Sequence, residues 1–154
     1  DDYGTQNGPL MSPELFREMI LPRRRKLNDF IRSKAPKAKI FHHTCGSVYK
    51  LIPDLIEAGI DVLNPIQHSA AEMDTYRLQE EYGDRLIFHG AIDEQTALIY
   101  GQDVLRREME ERIRSLGRDG GYIMAPTSNF QDDMPLENIV HFAAMAKEIG
   151  DYTK

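Results

Sequence analysis

A histidine stands two residues ahead of the chain's one cysteine, in His43-Thr44-Cys45. In extended chain, residues i and i+2 project to the same side, so an imidazole and a thiolate here can grip one ion, and that borderline-soft pair suits zinc. A catalytic zinc wants about three protein ligands and an open position. The remaining ligand must then come from Asp1, Asp2, His68 or His89. Taken alone, a His-x-Cys match is more often a packed thiol beside a hydrogen-bonded histidine. Asp93 and His89 are the candidate catalytic residues, with Asp93 as a general base or a carboxylate that positions substrate, although an Asp at such a point more often caps a following helix. Asn64, Gln67 and Ser128 are candidates for substrate binding; Asn and Gln in such loops more often satisfy the loop backbone.

These residues fall at the ends of expected strands. Ser12, Pro13 and the apolar positions Leu15, Met19, Leu27 and Ile31 predict one long helix over residues 12–34, kinked at Pro22. Strand and helix then alternate: strand 37–42, helix 47–58, strand 61–64, helix 70–82, strand 85–88, helix 103–116, strand 122–125 and helix 134–149, the last capped by Asp133. Parallel neighbours need long crossovers, so the class is α/β with four βα units, about half of a closed (β/α)8 barrel. The strands are apolar enough to expect burial on both faces. A doubly wound sheet would want a glycine-rich phosphate loop after its first strand, and the one adjacent pair, Gly120-Gly121, precedes a strand instead. Residues 1–154 read as a single domain. In such folds the site forms from loops after the strand C-termini, where four of the five histidines and Cys45 lie.

Composition removes several function classes. The chain has 25 Asp and Glu against 19 Lys and Arg, a net charge of −6, so broad attraction to nucleic acid or an anionic bilayer is not expected. Arg23-Arg24-Arg25-Lys26 reads as a solvated helix face, and His141 as a structural residue beside Ile139, Phe142 and Met145. One cysteine excludes an internal disulfide, no run is long enough to span a membrane, and we read the chain as cytoplasmic. No P-loop, nucleophile elbow or Ser/His/Asp signature is present. The start, Asp1-Asp2-Tyr3, lacks an initiator Met and an apolar leader, which reads as a processed start or a piece of something longer.

Seven blocks in order carry a resemblance: Asp1-Asp2-Tyr3-Gly4-Thr5-Gln6, Pro9-Leu10-Met11-Ser12-Pro13, His43 to Ser47, Gly59 to Gln67, His89 to Gln95, Gly120 to Ile123 and Pro135 to Ile139. Over essentially its whole length the chain resembles the C-terminal half of the uroporphyrinogen decarboxylase superfamily, in its corrinoid methyltransferase-like branch. The resemblance implies a (β/α)8 barrel roughly twice this long, with His43 and Cys45 as zinc ligands. It also implies methyl transfer between a small donor or a thiol and a corrinoid carried by a partner protein. Relatives place a His or Cys where Ser128 stands. Serine is a poor zinc ligand, so either the third ligand falls to Asp1, Asp2 or His89, with Asp2 as the working assignment, or the site holds no metal. The alternatives are porphyrinogen decarboxylation, for which the resemblance implies an Arg and a central Asp in the other half, and a non-catalytic half barrel that pairs with itself or a complementing half.

Overall fold

The computed structural model describes residues 2–150. Four parallel strands, β1 Phe41–His43, β2 Val62–Ile66, β3 Ile87–Ile92 and β4 Tyr122–Pro126, lie side by side in chain order. Helices α1 Pro13–Met19 and α2 Leu21–Lys34 precede them, and α3 Ile52–Glu57, α4 Thr75–Tyr82, α5 Gln102–Leu116 and α6 Leu136–Ile149 follow successive strands. Sequential order with every pair parallel is the topology of a half barrel. No helix is long and apolar enough to cross a membrane among the described residues.

Several boundaries differ from expectation, each for a local reason. The stretch 12–34 is two helices: Ser12 caps the first by accepting from the Leu15 N–H at 3.2 Å, and Ile20 separates it from the second, which begins just before Pro22. A 3-10 turn, Tyr49–Leu51, and then α3 replace a single helix over 47–58, with Pro53 in the first turn of α3. Helix α4 starts only at Thr75, where Asp74 accepts the Arg77 N–H at 2.8 Å. Strand β2 runs through Pro65, tolerated because the pairing with β3 shifts register between Leu63 and Ile66. Strand β3 runs on to Ile92 rather than ending at Phe88, because Gly90 stays paired, with Met124, at a φ of 105°. Asp133 does not cap α6; Pro135 holds the N-cap without a side-chain bond.

The sheet is buried chiefly on one face, where both were expected; of the opposite face, Val62 is covered while its neighbour Phe41 is not. His42, Leu63 and Phe88 share a rung on the helix side, at 4%, 0% and 0% exposure, and pack in a core with Phe16, Leu51, Leu55 and Leu78. A second core joins Ile92, Leu98, Leu105 and Met109. On the opposite face Phe41 and Ile123 remain about half exposed. Crossovers of one hand place all the helices on one side, and four strands cannot enclose the other. The basic run is tied down locally: Arg24 donates to the Tyr3 hydroxyl at 2.7 Å and Arg25 pairs with Glu57. His141 is exposed rather than packed, and its ring lies 3.2 Å from the Glu137 carbonyl.

His42 is stacked on Tyr3, with ring centroids 5.5 Å apart, and its Nε2 is buried without a partner. Burial, reinforced by the Arg24 charge, depresses its pKa to about 4. The unfolded chain, with an ordinary histidine, binds more protons between pH 6.5 and about 4, so this contribution to stability is complete above pH 6.5 and is lost as pH falls through that window. Replacing His42 with Phe should keep the stack and flatten the decline. Urea midpoints of both proteins at pH 7 and pH 5 check this, and an equal acid-side loss in the variant would contradict it.

Candidate metal centre

The uncovered sheet face carries a polar rung at the C-terminal ends of the strands. His43 pairs with Asn64 and His89 with Ile123 in the strand register, and a side-chain bond joins Asn64 to His89 across the register shift between β2 and β3. His43 Nδ1 lies 2.7 Å from Asn64 Oδ1, and Asn64 Nδ2 lies 2.7 Å from His89 Nδ1. One amide orientation satisfies both bonds: the His43 Nδ1–H donates, Asn64 accepts, and Asn64 donates in turn to His89. That sequence of donors leaves the His43 Nε2 lone pair free and places the His89 proton on Nε2. The His89 ring meets the edge of Phe41 at 5.0 Å, and burial lowers its pKa, which favours the neutral ring this network needs.

Cys45 Sγ lies 3.5 Å from His43 Nε2, and Asp2 Oδ1 lies 3.5 Å from the same nitrogen. Ligand atoms of these three residues are all within 4.8 Å of one another, and they form the one such group of three ionisable side chains among the described residues. Tetrahedral zinc with bonds of about 2.0–2.3 Å sets neighbouring ligand atoms roughly 3.4–3.6 Å apart, so the histidine–cysteine and histidine–aspartate spacings fit that ion. Burial, with the Asp2 and Glu94 charges adding to it, raises the pKa of the Cys45 thiol when only protein surrounds it.

Asp2 reaches this place because the N-terminal segment is stitched to the loop after β1. The Tyr3 N–H donates to Thr44 Oγ1 at 2.8 Å, the Ser47 N–H to the Thr5 carbonyl at 2.7 Å, and the Cys45 N–H to Asp2 Oδ1 at 2.8 Å. The backbones approach so closely that a Cβ on Gly4 would sit 2.5 Å from the Cys45 carbonyl oxygen. Gly46, at a φ of 80°, faces the same segment, and its amide donates to Gln67 Oε1 at 2.9 Å. Gln67 therefore holds the loop behind Cys45.

The other expected site residues do not join this group. His68 is hydrogen-bonded to Glu108 at 2.7 Å. Burial pushes the Glu108 carboxyl up, but the bond and charge of His68 outweigh it and leave the group below the usual carboxylate range. Asp93 accepts the Gln95 N–H at 2.8 Å in the turn after β3, so it braces that turn. Ser128 is exposed and lines a cleft with Glu94, away from the rung. Asp1 lies outside the described residues. Thr44, Glu108 and Glu94 were missed by the sequence reading. Only Glu94, directly after Asp93 in a rim loop, carried a signal that would have singled it out.

The chain matches the model of the family described as uroporphyrinogen decarboxylase (URO-D) over residues 2–149. No curated protein matches it. Among solved structures, a methyltransferase from Methanosarcina mazei superimposes with a TM-score of 0.70 at 22% identity, over 92% of this chain and 39% of that one. The present chain thus spans well under half of that protein's length, and the likeness establishes a shared fold. With a family model matched along nearly all of its length, the chain belongs to the uroporphyrinogen decarboxylase (URO-D) family.

Proposed function

We propose that the chain forms the zinc-binding part of a methyltransferase site, with His43, Cys45 and Asp2 as ligands, serving transfer of a methyl group between a small donor or thiol and a corrinoid on a partner protein. The observation that carries the reading is the convergence of a nitrogen, a sulfur and an oxygen donor at the C-terminal rim of the sheet. The fold of the methyltransferase from Methanosarcina mazei supports it. Zinc bound there would supply a Lewis acid able to hold a thiol as its thiolate near neutral pH. The chain's own residues do the positioning. His43 offers Nε2 because Asn64 takes its Nδ1–H, Asp2 is fixed against the Cys45 amide, and Gln67 holds the following turn. The neutral His89 presents an Nε2–H to a substrate on the open face, which a complementing half barrel would cover.

Elemental analysis of the purified chain tests the reading, with about one zinc per chain expected; no zinc after incubation with the metal would overturn it. Asn64 is, on this account, a positioning residue rather than a substrate contact. Replacing it with Leu keeps the volume but leaves the Nδ1 atoms of His43 and His89 without partners. The expected result is a metal affinity lower by about ten- to a hundred-fold, measured by competition with a chromogenic chelator. Unchanged affinity would return Asn64 to the list of substrate contacts.

A further inference from the structure

Away from the metal ligands, helix α2 keeps one face turned to solvent. Arg23, Lys26, Leu27, Phe30 and Lys34 recur at spacings of three and four residues, so they line one stripe about 16 Å long. All of them are exposed, Leu27 at 48% and Phe30 at 59%. No carboxylate shares the stripe: Asp29 falls on its flank, and Arg25, paired with Glu57, falls on the opposite side of the helix. Arg17 and Arg32 likewise have carboxylate partners, but among the described residues Arg23, Arg24, Lys26 and Lys34 make no ion pair. At one end of the stripe a cleft of about 270 Å³ is lined by Tyr3, Ile20, Arg23, Arg24 and Leu27. Arg23 donates to the Met19 carbonyl and Arg24 to the Tyr3 hydroxyl at 2.7 Å, with the Arg24 guanidinium 5.8 Å from the Tyr3 ring centre. These partners are neutral and leave further N–H groups on each guanidinium, so positive charge stands uncompensated beside an apolar wall.

We propose that this face of α2 docks an acidic amphipathic helix of a partner polypeptide. One Glu of that helix enters the cleft, its carboxylate on Arg23 and Arg24 and its stem against Ile20 and Leu27, while apolar side chains of the helix pack on Phe30. Apolar groups bordered by charges of one sign suit a surface that is apolar along its middle and acidic at its borders. A helix laid along α2 meets the whole stripe over about three turns. Other occupants match less well. A bilayer would have to meet a chain of net charge −6, whereas a helix meets the stripe alone. In a second copy, the exposed apolar residues of α6, Leu136 and Val140, lie in line with Lys147 rather than with a run of carboxylates.

The test is fluorescence anisotropy of a labelled helical peptide whose Leu and Glu side chains recur at i, i+3, i+4 and i+7, titrated with the 154-residue chain in chelator so that its outcome is independent of zinc. Saturable binding that weakens with added salt is expected. Replacing the peptide's Glu with Gln should weaken it about ten-fold or more, and so should Lys26→Glu or Phe30→Ser in the chain. The Lys26→Glu chain should in turn favour a peptide with Lys in place of Glu. No saturable binding, equal binding of the Gln peptide, or indifference to both variants would overturn the assignment. A concentration-dependent doubling of mass abolished by Phe30→Ser would give the face to a second copy instead. Co-sedimentation with vesicles of phosphatidylcholine and phosphatidylglycerol in equal parts, lost in Phe30→Ser, would give it to a lipid surface. Both substituted residues are exposed, so the fold is expected to survive either change, and circular dichroism checks it.

Discussion

Cys45→Ser is expected to reduce bound zinc from about one per chain to near none while leaving the far-ultraviolet circular dichroism and melting temperature close to those of the parent chain. A serine hydroxyl ionises far less readily than a thiol and is a poor partner for a borderline-soft ion, so two ligands would remain where about three are needed. The fold should survive because Cys45 lies on the rim, only partly buried and outside both hydrophobic cores. Its backbone amide, which anchors Asp2, is untouched by the change. Metal content by mass spectrometry of the dialysed protein, beside a melting curve, separates the outcomes. Stoichiometric zinc in a folded Cys45→Ser variant would sink the ligand assignment, and loss of metal with loss of fold would call for His43→Ala as the cleaner test, since His43 is exposed.

Gly46→Ala should damage the same centre without removing any ligand. Gly46 sits at a φ of 80°, and an added Cβ would lie 2.7 Å from the Gly4 carbonyl carbon and the Thr5 carbonyl oxygen. Both atoms are backbone, so no side chain can swing aside to relieve the contact. Left-handed strain and the overlap together should cost about 3 kcal/mol of stability. The strain should be relieved by letting the N-terminal segment move away from the loop after β1, and Asp2 travels with that segment. The variant should therefore show both a lower urea midpoint and a weaker hold on zinc. A shift in stability with metal affinity intact would mean that Asp2 is not a ligand.

The departures of the fold from its sequence pattern share a cause. Periodicity placed every helix and strand in the right order, because apolar spacing is set by which side of an element meets the core. It misplaced boundaries wherever a residue known for breaking structure was accommodated by its neighbours. Pro65 and Gly90 looked like strand ends, yet both lie inside paired strands, Pro65 at a register shift and Gly90 beside it. Conversely, Ile20 and Pro22 divided what read as one helix. Burial on both faces of the sheet was a fair inference from apolar strands, but exposed Phe41 and Ile123 show that a half barrel covers chiefly its outer side.

What the sequence determined by itself was the parallel α/β architecture and the pairing of His43 with Cys45, because both follow from spacings of a few residues along one strand or helix. Which carboxylate comes to lie beside that pair was a tertiary decision. Asp2 is 41 residues from His43, and it arrives only because Tyr3, Thr5 and two glycines allow the backbones to touch. The same holds for Asn64, a candidate substrate contact by its sequence position, which the fold sets between two histidines. His68 and Ser128, equally plausible in sequence, were drawn elsewhere, one by Glu108 and the other into the cleft with Glu94. Local pattern sets which residues reach the rim; the register between strands and the docking of a distant segment set which of them meet, since contacts across the sheet depend on packing that leaves no trace in short-range order.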